Sequence, residues 1–337
     1  MPNIIEASDL NQHNESVKII DVRSPKEFAQ GHIPNAINLP LFSDDERALV
    51  GTCYKQQGRE SAIKLGLEIV GPKMASFVET TGRIAPNKKI IVHCWRGGMR
   101  SSSMAWLLEL TGFEVQILKS GYKAYRNFVL SLFQLDFKLK ILGGRTGSGK
   151  TNLLHLMQNS GAQVIDLEAL AHHKGSAFGK IGHDAQPTSE QFENDLAAKI
   201  KTLHLENEIW VEDESKGIGK CFIPLSFWQK MRISPLYVIK ISDTQRIENL
   251  LKDYGDAPKE ALAEPILNLE KRLGNEKMKE ALKFLDEGNL SAVAQIMLYY
   301  YDKTYDYALT QKETKSVILI DCENLYEHQI IGKLLTT

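Results

Sequence analysis

The chain has 337 residues, 43% hydrophobic and 25% charged, values near globular averages that exclude a disordered or low-complexity protein. Its formal net charge of −1 leaves no global basic field, so a nucleic acid would have to be held by a local patch. No apolar run approaches the roughly 18 residues that span a bilayer, the N-terminus lacks the apolar core of a signal peptide, and Cys53, Cys94, Cys221 and Cys322 form no C-x-x-C pair, so no membrane association, disulfide framework or zinc site is expected and a reducing cytoplasm is the expected compartment.

In chain order, 18–22, 89–93 and 114–118 read as buried strands, with a helical stretch at 101–110 that stops before Thr111-Gly112. Strands alternating with helices indicate an α/β domain with a largely parallel sheet over about residues 1–130. A connector near 131–137 leads to a second start: 138–142, 163–166, 208–212, 236–240 and 316–320 are further strand candidates, giving a second α/β domain over 138–337. Its segment 243–313 turns helical, with breaks near Gly255, Gly274 and Gly288. From Lys88 to Arg126 there are seven Lys/Arg against two Asp/Glu, and from Lys216 to Lys240 five and none. These stretches are either solvated faces or the seat of an anionic partner.

The strand at 89–93 delivers Cys94-Trp95-Arg96-Gly97-Gly98-Met99-Arg100-Ser101, and a helix follows. A cysteine at the end of a parallel strand sits at the ligand crevice of an open sheet. Loop N–H groups and the helix dipole there favour an anion, and thiolate over thiol. Gly97 and Gly98 permit a tight curl, and Arg96 and Arg100 add fork-shaped donors. The plain alternative is an inert buried cysteine. Two chemistries fit the loop: chalcogen transfer on Cys94, or phosphoester cleavage, since His93-Cys94-x₅-Arg100-Ser101 also has cysteine-phosphatase spacing.

Upstream, Asp21-Val22-Arg23-Ser24-Pro25-Lys26-Glu27-Phe28 and Gly31-His32-Ile33-Pro34-Asn35-Ala36-Ile37-Asn38-Leu39-Pro40 resemble the rhodanese signature. The resemblance implies a rhodanese fold over about 1–130 with Cys94 as its catalytic cysteine, and leaves the phosphatase alternative open.

In the second domain Gly144-Arg145-Thr146-Gly147-Ser148-Gly149-Lys150-Thr151 fits G-x-x-x-x-G-K-[ST]. A strand precedes it and a helix can begin at Asn152. The glycines let N–H groups converge on phosphate oxygens, Lys150 supplies a point charge, and Thr151 can bind Mg²⁺. Nucleotide is the default ligand, but any diphosphate presents the same oxygens. Glu212, Asp213 and Glu214 follow a strand and are either Mg²⁺ contacts or a solvated acidic strand end. The aromatics from Met297-Leu298-Tyr299-Tyr300-Tyr301 to Tyr305 and Tyr307 read as helix core, with an apolar groove or base stacking as the lesser alternative.

The combination of a rhodanese-like domain and a P-loop NTPase-like α/β domain with a helical extension resembles the tRNA 2-selenouridine synthase family over nearly the whole chain. Further matches are Gly51-Thr52-Cys53-Tyr54, the Ser120-Gly121-Tyr122-Lys123-Ala124-Tyr125-Arg126 turn, His173-Lys174-Gly175-Ser176-Ala177-Phe178-Gly179, Gln186-Pro187-Thr188 and Glu212-Asp213-Glu214-Ser215. The family usually carries Arg at Lys174, so the charge is kept and the fork lost.

The resemblance implies that a wobble 2-thiouridine is S-geranylated with geranyl diphosphate, after which selenium from selenophosphate displaces geranylthiol. Cys94, Arg96 and Arg100 would serve selenation, with Trp95, Gly97, Gly98 and Met99 forming the anion loop. Gly144, Gly147, Ser148, Gly149, Lys150 and Thr151 would hold a phosphate group, with Glu212, Asp213, Glu214 and Ser176 as Mg²⁺ or substrate contacts. Lys119, Lys123, Arg126, Lys216 and Lys220 are the candidate tRNA contacts. A selenophosphate-supplying enzyme is the implied partner; no prosthetic group is expected, and the sequence sets no oligomeric state. The rival readings are a sulfurtransferase or cysteine phosphatase with a regulatory nucleotide site, and a nucleotide-gated RNA-binding module.

Overall fold

A computed structural model describes residues 2–12, 16–314, 316–323 and 325–336. It divides into two units, Met1–Leu132 with Glu193–Lys201, and Phe133–Phe192 with Thr202–Thr337.

In the first unit β1 (Asn3–Ile5), β2 (Lys18–Asp21), β3 (Ile37–Asn38), β4 (Lys89–His93) and β5 (Glu114–Leu118) form a parallel sheet in the order β1-β5-β4-β2-β3. Central β4 is buried from Ile90 to His93, which is why it reads as a continuous apolar run rather than an alternating one. The helices are α1 (Pro25–Gln30), α2 (Asp44–Gln57), α3 (Arg59–Val70), α4 (Met74–Ile84), α5 (Met99–Leu110) and α6 (Gly121–Leu132). Ile20, Val92, Met104, Leu108 and Val115 lie at the heart of the core.

The second unit has β6 (Lys138–Gly144), β7 (Gln163–Ile165), β8 (Glu208–Glu212), β11 (Leu236–Lys240) and β12 (Val317–Asp321) in a parallel sheet ordered β12-β11-β6-β8-β7, plus a small antiparallel pair, β9 (Gly217–Ile218) and β10 (Cys221–Phe222). Its helices are α7 (Lys150–Asn159), α8 (Leu167–Ala171), the first four residues of α9 (Ser189–Lys201), α10 (Leu225–Ile233), α11 (Asp243–Tyr254), α12 (Lys259–Asn268), α13 (Glu270–Leu273), α14 (Asn275–Asp286), α15 (Leu290–Thr310) and α16 (Glu327–Thr336). The expected α/β class and helical extension are both present, with helix breaks at or beside the three glycines the sequence marks and a further one at Leu269 between α12 and α13. No helix among the described residues is long and apolar enough to cross a membrane.

One segment sits with the other unit. Residues 193–201, the C-terminal part of α9, belong to the first unit, where Asn194 donates to the His32 carbonyl and to Tyr122 Oη, both at 2.8 Å. Beneath them lies a buried ion pair. Arg23 donates to both Asp21 carboxylate oxygens at 2.6–3.0 Å and to the Gly31 carbonyl at 2.7 Å, with its guanidinium 3.8 Å from the Tyr122 ring centroid. Burial alone would push the Asp21 carboxyl up, but His93 and the Arg23 fork hold it below its ordinary 3.8.

Removing one partner of a fully buried pair strands the other charge. Arg23→Met is therefore expected to lower the unfolding free energy by about 3–5 kcal/mol at neutral pH, read by urea denaturation of the full chain. Because Asp21 titrates lower when folded, the wild type's advantage is full above the unfolded-state value near 3.8 and shrinks as pH falls toward the folded-state value. A change within about 0.5 kcal/mol, as for a surface site, would contradict this.

Candidate active sites: a cysteine loop and a phosphate loop

β4 ends at His93 and places Cys94 at the centre of the first sheet's C-terminal edge. The carbonyls of Cys94 and Trp95 turn away and accept N–H bonds from Tyr122 and Lys123 at 2.9 and 3.0 Å. Only glycine fits the turn that makes those bonds: Gly121 has φ +62°, and a Cβ there would stand 2.3 Å from the Cys94 carbonyl oxygen. With the carbonyls drawn outward, the N–H groups of Arg96 and Ser101 face the thiol. Burial pushes the Cys94 thiol up, but the Ser101 hydroxyl, those two amides and the Arg100 charge outweigh it, and the net shift is downward. Ser101 Oγ lies 3.3 Å from Sγ.

The rest of the loop is disposed unevenly. Gly97 and Gly98 curl into the start of α5 at Met99. Trp95, Arg96 and Met99 are exposed, with Trp95 5.7 Å from the Tyr122 ring. Arg100 is half-buried and held by Glu27 at 2.8 and 3.4 Å, so its fork is engaged beside the thiol rather than lying free. Behind the loop His93 is fully buried with neither ring nitrogen hydrogen-bonded. Its Nε2 is 3.7 Å from Asp21; burial depresses its pKa below the ordinary 6.5, against the opposing pull of the Asp21 carboxylate.

The second site repeats this logic on β6. Arg246, buried on α11, donates from Nε to the Thr146 carbonyl at 2.9 Å and from Nη1 to Asp302 at 2.9 Å, while Asn249 donates to the Gly147 carbonyl at 2.9 Å. Gly147 (φ +80°) packs so closely that a Cβ would sit 2.8 Å from the Arg246 carbonyl. Gly144 and Gly149 flank the loop, Ser148 Oγ is buried without a partner, and Lys150 opens α7 while donating back to the Gly144 carbonyl at 3.0 Å.

Below the loop, Thr151 Oγ1 donates to Glu168 at 3.1 Å and to Glu212 at 3.2 Å. Ligand oxygens of Glu168, Glu212 and Glu214 lie within 4.8 Å of one another. Burial, then the Glu212 charge, pushes Glu168 up to about 8; burial likewise raises Glu212 and, with both neighbours, raises Glu214. Gly175 passes directly over these carboxylates, and Ser176 follows in the cavity wall. Asp213 also lines the cavity but is ion-paired with Lys312. The third acid of the group is therefore Glu168, which the sequence reading missed; its place three residues beyond β7 was the available signal.

A cavity of about 930 Å³ runs from this loop along α15. Leu290, Val293, Ala294, Met297, Leu298 and Tyr301 line it, at the 3–4 residue spacing of one helix face. The aromatic run is thus divided: Met297, Leu298 and Tyr301 face the cavity, while Tyr299 and Tyr307 are exposed.

The basic candidates also separate. Arg126 is committed to Glu193 and Asn194, and Lys119 pairs with Glu6 at 2.6 Å. Lys123, Lys216 and Lys220 are exposed and make no ion pair among the described residues.

Comparison with known proteins matches both halves of the chain. The family model described as tRNA 2-selenouridine synthase AAA domain matches residues 137–329, and the Rhodanese-like domain model matches residues 6–128. A protein of Shewanella denitrificans named tRNA 2-selenouridine synthase is 37% identical over 88% of this chain and 89% of its own length. One of the same name from Pseudomonas putida F1 is 34% identical over 93% and 94%, and one from Nitrosomonas europaea is 43% identical over 70% and 63%. The chain belongs to the tRNA 2-selenouridine synthase family.

Within this family member, Ser101 is the side chain whose effect on Cys94 is most directly measurable. Ser101→Ala is expected to raise the Cys94 pKa, slowing alkylation by iodoacetamide near pH 7 by roughly tenfold per pKa unit and moving its pH profile upward. Peptide mass spectrometry separates Cys94 from Cys53, whose rate should stay constant. An unmoved Cys94 profile would show that the hydroxyl does not stabilise the thiolate.

Proposed function

We propose that this chain is a tRNA 2-selenouridine synthase that converts wobble 2-thiouridine to 2-selenouridine through an S-geranyl intermediate. The observation that carries the reading is the cavity of the second unit, which joins a phosphate loop to a long apolar helix face. A nucleoside triphosphate uses the first feature and leaves the second empty, whereas geranyl diphosphate uses both. Tyr301 and Ala294 are seven residues apart on α15, about 10 Å of helix, similar to the roughly 10 Å of a ten-carbon prenyl chain at ordinary bond lengths.

In the first step the thiouridine sulfur attacks C1 of geranyl diphosphate. The S–C bond forms, the C–O bond breaks, diphosphate leaves with the electron pair, and the N3 proton is released. The loop amides and Lys150 hold the diphosphate and stabilise the charge it gains. Glu168, Glu212 and Glu214 would repel that charge if ionised. Together with the Thr151 hydroxyl they form a set of hard oxygen donors that fits Mg²⁺. These residues would hold the ion, which when bound supplies charge neutralisation to the leaving diphosphate.

In the second step selenium from selenophosphate adds at C2 of the alkylated base and geranylthiol departs, with water taking up the phosphoryl group. Alkylation makes this possible because a free thiolate is a poor leaving group. Cys94 and its loop serve this step. Lys123, Lys216 and Lys220 contact the tRNA backbone, so binding weakens steeply with salt.

The two steps should separate by mutation. Lys150→Ala is expected to slow geranylation by about a hundredfold or more while leaving selenation of pre-geranylated tRNA intact, and Cys94→Ser the reverse, read by nucleoside mass spectrometry. Equal loss of both steps in either variant would contradict the division. Ala294→Phe, placed at the tip of the bound chain, is expected to cut use of geranyl diphosphate at least tenfold relative to dimethylallyl diphosphate; an unchanged ratio would remove α15 as the chain-binding face.

A further inference from the structure

The spacing His93-Cys94-x₅-Arg100-Ser101 puts a hydroxyl 3.3 Å from a thiol at the base of a curled loop. The helix N-terminus of α5, the Arg96 and Ser101 amides that face Sγ, and the nearby Arg100 charge complete a cradle for a tetrahedral oxyanion. Such a cradle suits a phosphoryl group, whose three oxygens use more of its donors than the single atom of a terminal selenide would. We propose that Cys94 accepts the phosphoryl group of a phosphorus–selenium bond and does not carry selenium. This rests on selenophosphate being the selenium donor, as proposed above.

Electron balance favours the same assignment. In selenophosphate the selenium is already at the selenide level and the phosphorus at the phosphate level. Moving that selenium onto Cys94 as a perselenide needs a two-electron oxidant or the expulsion of phosphite. Attack at phosphorus needs neither. The Sγ–P bond forms as the P–Se bond breaks, and selenium leaves with the electron pair. Water then attacks phosphorus, the S–P bond breaks, phosphate departs and the thiolate is restored.

Ser101 has a defined part in the second half. Its one proton lies between the Gly98 carbonyl, 3.0 Å away, and Sγ, and it turns to sulfur when Cys94 departs from phosphorus as thiolate. Arg100 is held on Glu27 at 2.8 Å, a pair that keeps its guanidinium oriented beside the loop between turnovers. Two donors present the same P–Se bond to the loop: free selenophosphate, or a selenium already bonded to C2 of the nucleoside and still carrying the phosphoryl group.

The test uses the full chain with selenophosphate carrying radiolabelled phosphorus, alone and with S-geranylated tRNA, quenched in neutral denaturant and mapped by peptide mass spectrometry. A phosphoryl increment on Cys94 is expected, absent in Cys94→Ser and several-fold more abundant in Ser101→Ala, whose folding is checked by circular dichroism and an unchanged urea-unfolding midpoint. Labelling by selenophosphate alone assigns the free donor; labelling only with tRNA assigns the nucleoside-bound form. Selenium on Cys94 without phosphorus, or selenated tRNA with no phosphoryl on Cys94 in either wild type or Ser101→Ala, overturns the proposal and leaves the synthase reading standing. Phosphorylated Cys94 with unmodified tRNA supports the proposal and sinks the synthase reading; neither product rejects both.

Discussion

Both sites depend on one constraint: where a central parallel strand gives way to a helix, the backbone must leave its N–H groups unsatisfied and point them at an anion. That arrangement persists only if the neighbouring carbonyls are bonded elsewhere. At Cys94 the first amides of α6 do this, and at the phosphate loop the side chains of Arg246 and Asn249 do. Two different solutions, one from backbone and one from side chains, serve the same electrostatic end. Each requires glycine where the bracing atoms press closest, Gly121 in one unit and Gly147 in the other.

The anions the two cradles favour differ in what surrounds them. At the first loop the group favoured as an anion is Cys94 itself, whose pKa a hydroxyl, two amides and a guanidinium lower, which suits a nucleophile that must also leave. The phosphate loop stands above three carboxylates whose pKa values are all raised. A group of acids driven toward protonation is receptive to a cation, and a cation between the acids and a diphosphate satisfies both. The long apolar face of α15 then distinguishes this cavity from one shaped only for phosphate.

Much of this was legible in the sequence because the relevant signals are local. Buried parallel strands read as apolar runs, Gly255, Gly274 and Gly288 mark helix ends, and the two loops are contiguous motifs. The parts that escaped are relations between distant residues. Glu168 joins Glu212 only because β7 and β8 are neighbours. Arg126 looks like a basic surface residue until Glu193 and Asn194 are brought beside it. The small strands β1 and β3 carry too few residues to show a period. α2 buries none of its residues and α3 only Ala62, so neither presents the amphipathic stripe by which helices are recognised.

The central claim is that alkylation precedes and enables selenium entry. It is tested most directly by giving the unmodified protein tRNA that contains 2-thiouridine, with geranyl diphosphate alone, selenophosphate alone, or both, and analysing the nucleosides by mass spectrometry. The account requires S-geranyl-2-thiouridine with the first, unchanged 2-thiouridine with the second and 2-selenouridine with both. Formation of 2-selenouridine from selenophosphate alone would contradict it.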